Sequence, residues 1–279
     1  MFDRGYKYRR CHLPCMNKSA VIAAVAVIAV FAMAIAPYAM TSNSETDNNV
    51  YGIIGAMPEE TATLLEAMNE TKCVKIGDRE FHIGTLEGKK VVISECGYGK
   101  VNAGVSTQLM ITEFGVTAVI NSGVAGTLDE RVGIGDVVVS TDTVQQDYDM
   151  HEIGFERGLI PNVGKISIDA DERLRMAAVN AIRATASGTE VFEGRVCTGD
   201  QFVSGVDEMK YITDVFGGMC CEMEGGAIAQ VCYLNDTPFV IVRAISDDVD
   251  GGGPDDYAEF EKEMAALCAK MTIEMVKNL

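Results

Sequence analysis

The chain predicts an α/β fold, a three-layer α/β/α sandwich around a twisted, mostly parallel central sheet. Through residues 50–279, apolar β-prone runs alternate with amphipathic helical patterns, the signature of helices crossing over a parallel sheet. No long turn-rich linker interrupts that region, and 279 residues with 48% hydrophobic content suffice for one large domain with a sizeable core. Three stretches, Gly-Ala-Met-Pro-Glu-Glu at 55–60, Glu-Met-Glu at 222–224 and Ala-Ile-Ser-Asp at 244–247, each put a carboxylate just past an apolar strand. In open α/β sheets ligands sit outside the carboxyl ends of the strands, so these acids are expected to converge on a site.

The chain opens with Arg4, Lys7, Arg9, Arg10 and Lys18 against Asp3, then an unbroken apolar run at 20–36 that Pro37-Tyr38-Ala39-Met40 extends to about bilayer length. Basic residues before the run, with Glu45 and Asp47 after it, orient such a segment with its start in the cytosol. The expected organisation is a basic segment at 1–18, a transmembrane anchor or signal sequence at 19–40, a polar linker at 41–49 and a folded domain at 50–279. Ala34 and Ala36 offer a small-x-small cleavage site, but Pro37 directly after it favours a retained single pass with the domain outside the cytoplasm. Translation starting at Met40 would instead leave the domain cytoplasmic.

Within the domain, residues 50–56 read as a buried strand. Pro58 then suits the first position of a helix whose apolar face is Leu64, Leu65 and Met68, with Glu59 and Glu60 in its first turn. Short β-prone runs at 73–76, 79–86 and 90–95 are separated by the turns Gly77-Asp78 and Glu87-Gly88. Cys96-Gly97-Tyr98-Gly99-Lys100 leads into a helix over 101–114. A buried strand at 117–121 ends in Ser122-Gly123-Val124-Ala125-Gly126, which reads as a Gly-rich turn open to a ligand; lacking Gly-Lys-Ser/Thr, it is not a Walker loop.

A strand over 136–143 is followed by a long, irregular, partly apolar loop at 145–161. Its Met150, Ile153, Phe155 and Pro161 need a covering surface, which suggests a partner subunit. A helix at 170–184, a strand at 191–198 and a helix at 206–216 come next. Cys221-Glu222-Met223-Glu224-Gly225-Gly226-Ala227 marks a strand end and a helix start, where Glu222 and Glu224 could simply favour the helix dipole. A core strand over 238–245 follows, and Tyr257, Phe260, Met264, Leu267, Met271 and Met275 carry the spacing of a closing helix.

The formal charge is −18 and residues 1–18 carry a net +4, leaving about −22 on the remainder. An acidic body without a basic, aromatic-interleaved stripe argues against nucleic-acid binding. Nine irregularly spaced cysteines do not form a secreted disulfide framework, and with histidines only at 12, 82 and 151 no metal site or cofactor is expected.

The motifs Gly-Ile-Ile-Gly-Ala-Met-x-Glu-Glu, Gly-Tyr-Gly-Lys, Asn-Ser-Gly-Val-Ala-Gly, Glu-Met-Glu and Arg-Ala-Ile-Ser-Asp occur in this order over residues 50 to about 278. Together they resemble 5′-methylthioadenosine/S-adenosylhomocysteine nucleosidase, of the purine nucleoside phosphorylase/nucleosidase superfamily. The resemblance implies hydrolysis of the N-glycosidic bond of a 5′-thioadenosine nucleoside, releasing adenine and a thioribose. Such a reaction needs an acid for the departing base, anionic support for the sugar and a base for water.

By resemblance Asp247 protonates adenine, oriented by Ser246, and Glu60 activates the water. Glu224 takes the ribose hydroxyls, Met223 packs on the sugar face and Glu222 stands nearby. Phe202 stacks on adenine, the Val203 backbone reads its edge, Ala125 and Gly126 lie beside the ligand, and Tyr257 serves as a lid. Met150, Ile153, Phe155 and Pro161 are implied to complete the 5′-thioalkyl pocket from a neighbouring subunit of a homodimer.

Plainer readings stand beside these: a helix N-cap for Asp247, a first-turn charge for Glu60 that would suit Glu59 equally, and core packing for Phe202. Pro58 occupies a position where the family often has a carboxylate. Rival activities are another purine nucleosidase such as futalosine hydrolase, a purine nucleoside phosphorylase, and a non-catalytic nucleoside-sensing domain. A phosphorylase needs cations for its phosphate, and residues 55–60 offer two carboxylates and no arginine, leaving Lys100 as its one support.

Overall fold

The computed structural model describes residues 48–185, 188–248 and 253–279, with backbone alone at 253–256. The expected basic segment 1–18, the apolar segment 19–40 and residues 41–47 of the linker lie outside these. Among the described residues, no helix is long and apolar enough to cross a membrane.

Strand β1 (Val50–Gly55) runs into helix α1 (Pro58–Ala67), with Pro58 in the first turn, where its missing N–H has no intrahelical partner to lose. Strands β2 (Asn69–Ile76), β3 (Arg79–Leu86) and β4 (Lys89–Glu95) form an antiparallel meander whose last strand lies parallel to β1. Helix α2 (Lys100–Phe114) leads to β5 (Ala118–Thr127), then β6 (Val137–Gln145), the short β7 (Ser167–Asp169) and helix α3 (Glu172–Thr185). Strand β8 (Val191–Thr198), helix α4 (Val206–Phe216), strand β9 (Cys220–Glu222), helix α5 (Gly225–Leu234), strand β10 (Phe239–Asp247) and helix α6 (Gly253–Lys277) complete the order.

Three layers form as predicted, because alternate residues of each central strand face opposite helices. In β1, Tyr51 and Ile53 join the cluster containing Leu64, Leu174, Ile182 and Cys268 from α1, α3 and α6. Ile54 joins the other cluster, with Ala103, Met110 and Ile228 from α2 and α5. In β10, Val240, Val242 and Ala244 take the first side, while Phe239, Ile241 and Ile245 take the second.

The sheet is less simple than an open parallel one. Parallel pairings join β1 to β4 and β5, β5 to β10, β6 to β8 and β8 to β9. Antiparallel pairings join β10 to β6 and β5 to β9, so β10, β6, β8, β9 and β5 close into a ring. That closure places the ends of β5, β9 and β10 around one opening.

One local expectation is corrected. Residues 122–126 are not a turn, since β5 runs through to Thr127, fully buried and paired to β10 as far as Gly126. Its glycines serve side-chain space. A Cβ at Gly123 would run into the Glu60 carboxylate and the Arg243 guanidinium, and one at Gly126 into the Asp247 carboxylate. The short β7 went unpredicted, because three residues carry too little pattern to register as a strand.

Candidate active site

Glu60 sits on the third residue of α1, and its carboxylate turns back toward the strand ends. Oε2 accepts from the Ala56 N–H (2.5 Å) and Oε1 from the Val124 N–H on β5 (2.9 Å). Only 1% of Glu60 is exposed, whereas Glu59 is half-buried and lies outside the cleft, so the two first-turn acids are not equivalent. Burial pushes the Glu60 pKa up, opposed by Arg243 and by those backbone donors.

The β9–α5 junction holds the next two acids. Glu222 Oε2 accepts the N–H groups of Glu224 (3.0 Å) and Gly225 (2.7 Å), satisfying donors at the start of α5, while Oε1 accepts the Thr198 hydroxyl. Glu224 lies at the N-cap of α5, where Oε1 accepts from the Gly99 N–H (2.9 Å). Burial first, then Glu222, lifts the Glu224 pKa to about 7 against the pull of Arg243.

Asp247 ends β10 and is buried, with its Oδ1 accepting the Ser246 hydroxyl at 2.9 Å. It belongs to the strand.

Arg243 organises these groups. It lies fully buried in the run Phe-Val-Ile-Val-Arg-Ala-Ile of β10. Nη2 donates to Glu222 Oε2 (2.5 Å), Asn121 Oδ1 (2.5 Å) and Glu224 Oε2 (3.4 Å); Nη1 donates to the Val124 carbonyl (3.0 Å) and stands 3.7 Å from Glu60 Oε1. Burial alone would lower its pKa, but Glu222, Glu224 and Glu60 outweigh it and keep the guanidinium charged. Arg243 was not singled out as a site residue from sequence. The usable signal was an arginine inside an apolar strand, which must find buried acids.

These groups line one cleft. Of the residues expected at the site, Glu60, Ala125, Gly126, Phe202, Val203, Glu222, Met223, Glu224, Ser246, Asp247 and Tyr257 all border it. Phe202 is 46% exposed and meets the Tyr257 ring edge-on at 5.4 Å, so it is not core packing. Tyr257 also points its hydroxyl at Met57 Sδ (3.4 Å). Tyr98 and Gln201 line the cleft too, unforeseen because loop residues leave no periodic signal.

Met150, Ile153, Phe155 and Pro161 do not border the cleft of their own chain. They lie on the loop after β6, where Ile153 is 68% exposed and Phe155 38%. Lys100 is outside the cleft as well, its Nζ held by Asp147 (2.6 Å) and Gln145 (3.4 Å).

Residues 50–279 match the model of the phosphorylase superfamily. A 5′-methylthioadenosine/S-adenosylhomocysteine nucleosidase from Shewanella pealeana is 37% identical over 229 residues, which span 82% of this chain and 99% of that protein. The chain belongs to the 5′-methylthioadenosine/S-adenosylhomocysteine nucleosidase family. A nucleosidase of that name from Neisseria meningitidis, solved in complex with methylthio-immucillin-A, superposes with a TM-score of 0.80 at 39% identity, covering 83% of this chain and all of that one. The futalosine hydrolase of Helicobacter pylori superposes with a TM-score of 0.78 at 31% identity, covering 83% of this chain and 98% of that one. Against a phosphorylase in this superfamily stands the charge of the cleft, since four lining carboxylates face one arginine that three of them already engage. An incoming phosphate would meet net negative charge, whereas a nucleosidase needs that charge for a cationic sugar.

Proposed function

We propose that the chain hydrolyses the N-glycosidic bond of 5′-methylthioadenosine, S-adenosylhomocysteine or both, with water as nucleophile, releasing adenine and the 5′-thioribose. The observation that carries this reading is the convergence of Glu60, Glu224 and Asp247 on one cleft from three separate elements. Asp247, oriented by Ser246, delivers a proton to the departing adenine. Glu60, whose pKa burial raises, takes a proton from the attacking water. Glu224 accepts the ribose 2′- and 3′-hydroxyls and stabilises charge developing on the sugar, with Met223 against its face. Glu222 is spent on Arg243 and on the α5 N-terminus, so it positions Glu224. Phe202 stacks on the base under Tyr257, and the Val203 backbone reads the base edge.

The 5′ end of the substrate needs an apolar wall that this cleft does not supply from the 146–161 loop of its own chain. We assign that wall to Met150, Ile153, Phe155 and Pro161 of a second copy, which makes the working unit a homodimer. The apolar segment at 19–40 we assign to a single membrane pass with the nucleosidase domain outside the cytoplasm. Mass spectrometry of the mature N-terminus in membrane and soluble fractions tests this, and a soluble protein starting at Met40 overturns it.

Release of the free base by the full chain, adenine from methylthioadenosine and adenosylhomocysteine and hypoxanthine from a 5′-modified inosine, with and without phosphate, tests the activity. Release from the thioadenosines without phosphate is expected. Strict phosphate dependence would make the chain a phosphorylase, and turnover of the inosine alone would favour a futalosine-type nucleosidase. No release from any of them would leave a binding domain.

A further inference from the structure

Away from the cleft, the exposed edge hairpin β2–β3 gathers a second cluster of chemistry. Linear spacing hides it, since nine positions separate the cysteine from the histidine. The antiparallel register sets Cys73 directly opposite His82, and Lys75 opposite Glu80. Glu80 lies two residues before His82 on the same strand, so both project to one face. Cys73 Sγ, a Glu80 carboxylate oxygen and a His82 ring nitrogen all lie within 4.8 Å of one another.

A fourth residue gives this cluster a second feature of metal sites. Glu70 Oε2 holds His82 Nδ1 at 2.5 Å, which fixes the ring and leaves Nε2 for a ligand. A carboxylate behind the histidine is the usual way in which a metal-binding imidazole is oriented and made more basic. Cys73 is an exposed free thiol, and Glu80 is engaged by Lys75 through Oε1 alone at 3.3 Å.

We propose that Cys73, His82 and Glu80 form a surface site for a divalent transition-metal ion of the zinc class, with Glu70 orienting the imidazole and water completing the shell. A thiolate, an imidazole and a carboxylate are the donor set that zinc and cobalt(II) accept and that calcium and magnesium do not. Tetrahedral bonds of about 2.0–2.3 Å need donors about 3.3–3.8 Å apart, so these side chains close by about 1 Å on binding, a shift that exposed rotamers allow. Zinc-class ions bind the thiolate, so metal binding releases the Cys73 proton. The ion would tie the edge strand to its neighbour, outside the nucleosidase chemistry.

Cobalt(II) titration of the full chain, kept reduced by a phosphine, tests the site. A thiolate-to-cobalt charge-transfer band is expected to saturate at one ion per chain and to bleach with zinc. C73S should abolish the band although the other cysteines remain, H82A and E80Q should each weaken zinc binding at least 10-fold, and E70Q should weaken it about 10- to 100-fold while keeping the band. Unchanged far-ultraviolet circular dichroism in all four variants establishes that they fold. No band in the unmodified chain, or a band that survives C73S, overturns the proposal.

Discussion

Arg243 is one cation shared among Glu60, Glu222 and Glu224, so burial of these acids is only partly compensated. Glu224 shows the result, with a pKa pushed from 4.5 to about 7. A carboxyl whose folded pKa is raised supports the fold below its unfolded value, and that support is lost as pH rises through about 7. Binding of ribose hydroxyls runs the other way, because it needs the ionised acceptor. The acid limb of kcat/KM for methylthioadenosine should therefore fall near pH 7, where Glu224 ionises. A limb near the ordinary carboxylate value in a pH–rate profile would contradict this. Asp247→Asn and Glu60→Gln should each lower kcat by about 10²- to 10⁴-fold, with far-ultraviolet circular dichroism unchanged. Near-normal turnover in either variant removes that residue from the chemistry. At this scale the sequence named the acids and their order, but not the cation: Asp and Glu past strand ends are visible as a pattern, whereas the partners of Arg243 meet only once the sheet closes.

Elements bring those residues together through the end of β5. Gly123 and Gly126 lie in a buried extended strand with no positive φ, so alanine would be tolerated by the backbone at either position. What a methyl group meets at Gly126 is the Asp247 carboxylate itself. Gly126→Ala is thus expected to displace the proton donor, cutting kcat at least 100-fold while costing about 1–3 kcal/mol of stability as an overpacked core site. Kinetics and thermal unfolding of the variant decide the matter; full activity would show that Asp247 has room elsewhere. Most elements were readable from periodicity: β8 and α4 fall on the predicted residues, and α2 begins one residue early. The continuation of β5 was not, because the Ser-Gly-Val-Ala-Gly stretch is turn-like in composition and becomes strand only by pairing with β10 and β9.

At the scale of the whole molecule, the cleft is lined without Met150, Ile153, Phe155 or Pro161, and on the loop that carries them Ile153 and Phe155 are exposed. Tyr98 and Val101, at the start of α2, are also exposed, and Tyr98 lines the cleft. Apolar surface at a cleft's rim and on a loop outside its lining is most simply buried when two copies exchange loops across a twofold axis. Burying a side chain the size of Ile153 contributes about 1.5–3 kcal/mol, and a carboxylate in its place would remain unpaired in the interface. Ile153→Asp should therefore yield a monomer by light scattering. Because the 5′ wall would leave with the partner, KM for methylthioadenosine should rise at least 10-fold, with a smaller effect on adenosine, which lacks the thiomethyl group. A monomeric variant with unchanged KM would show that each chain builds its own 5′ pocket, and a variant that stays dimeric would place the interface on another face.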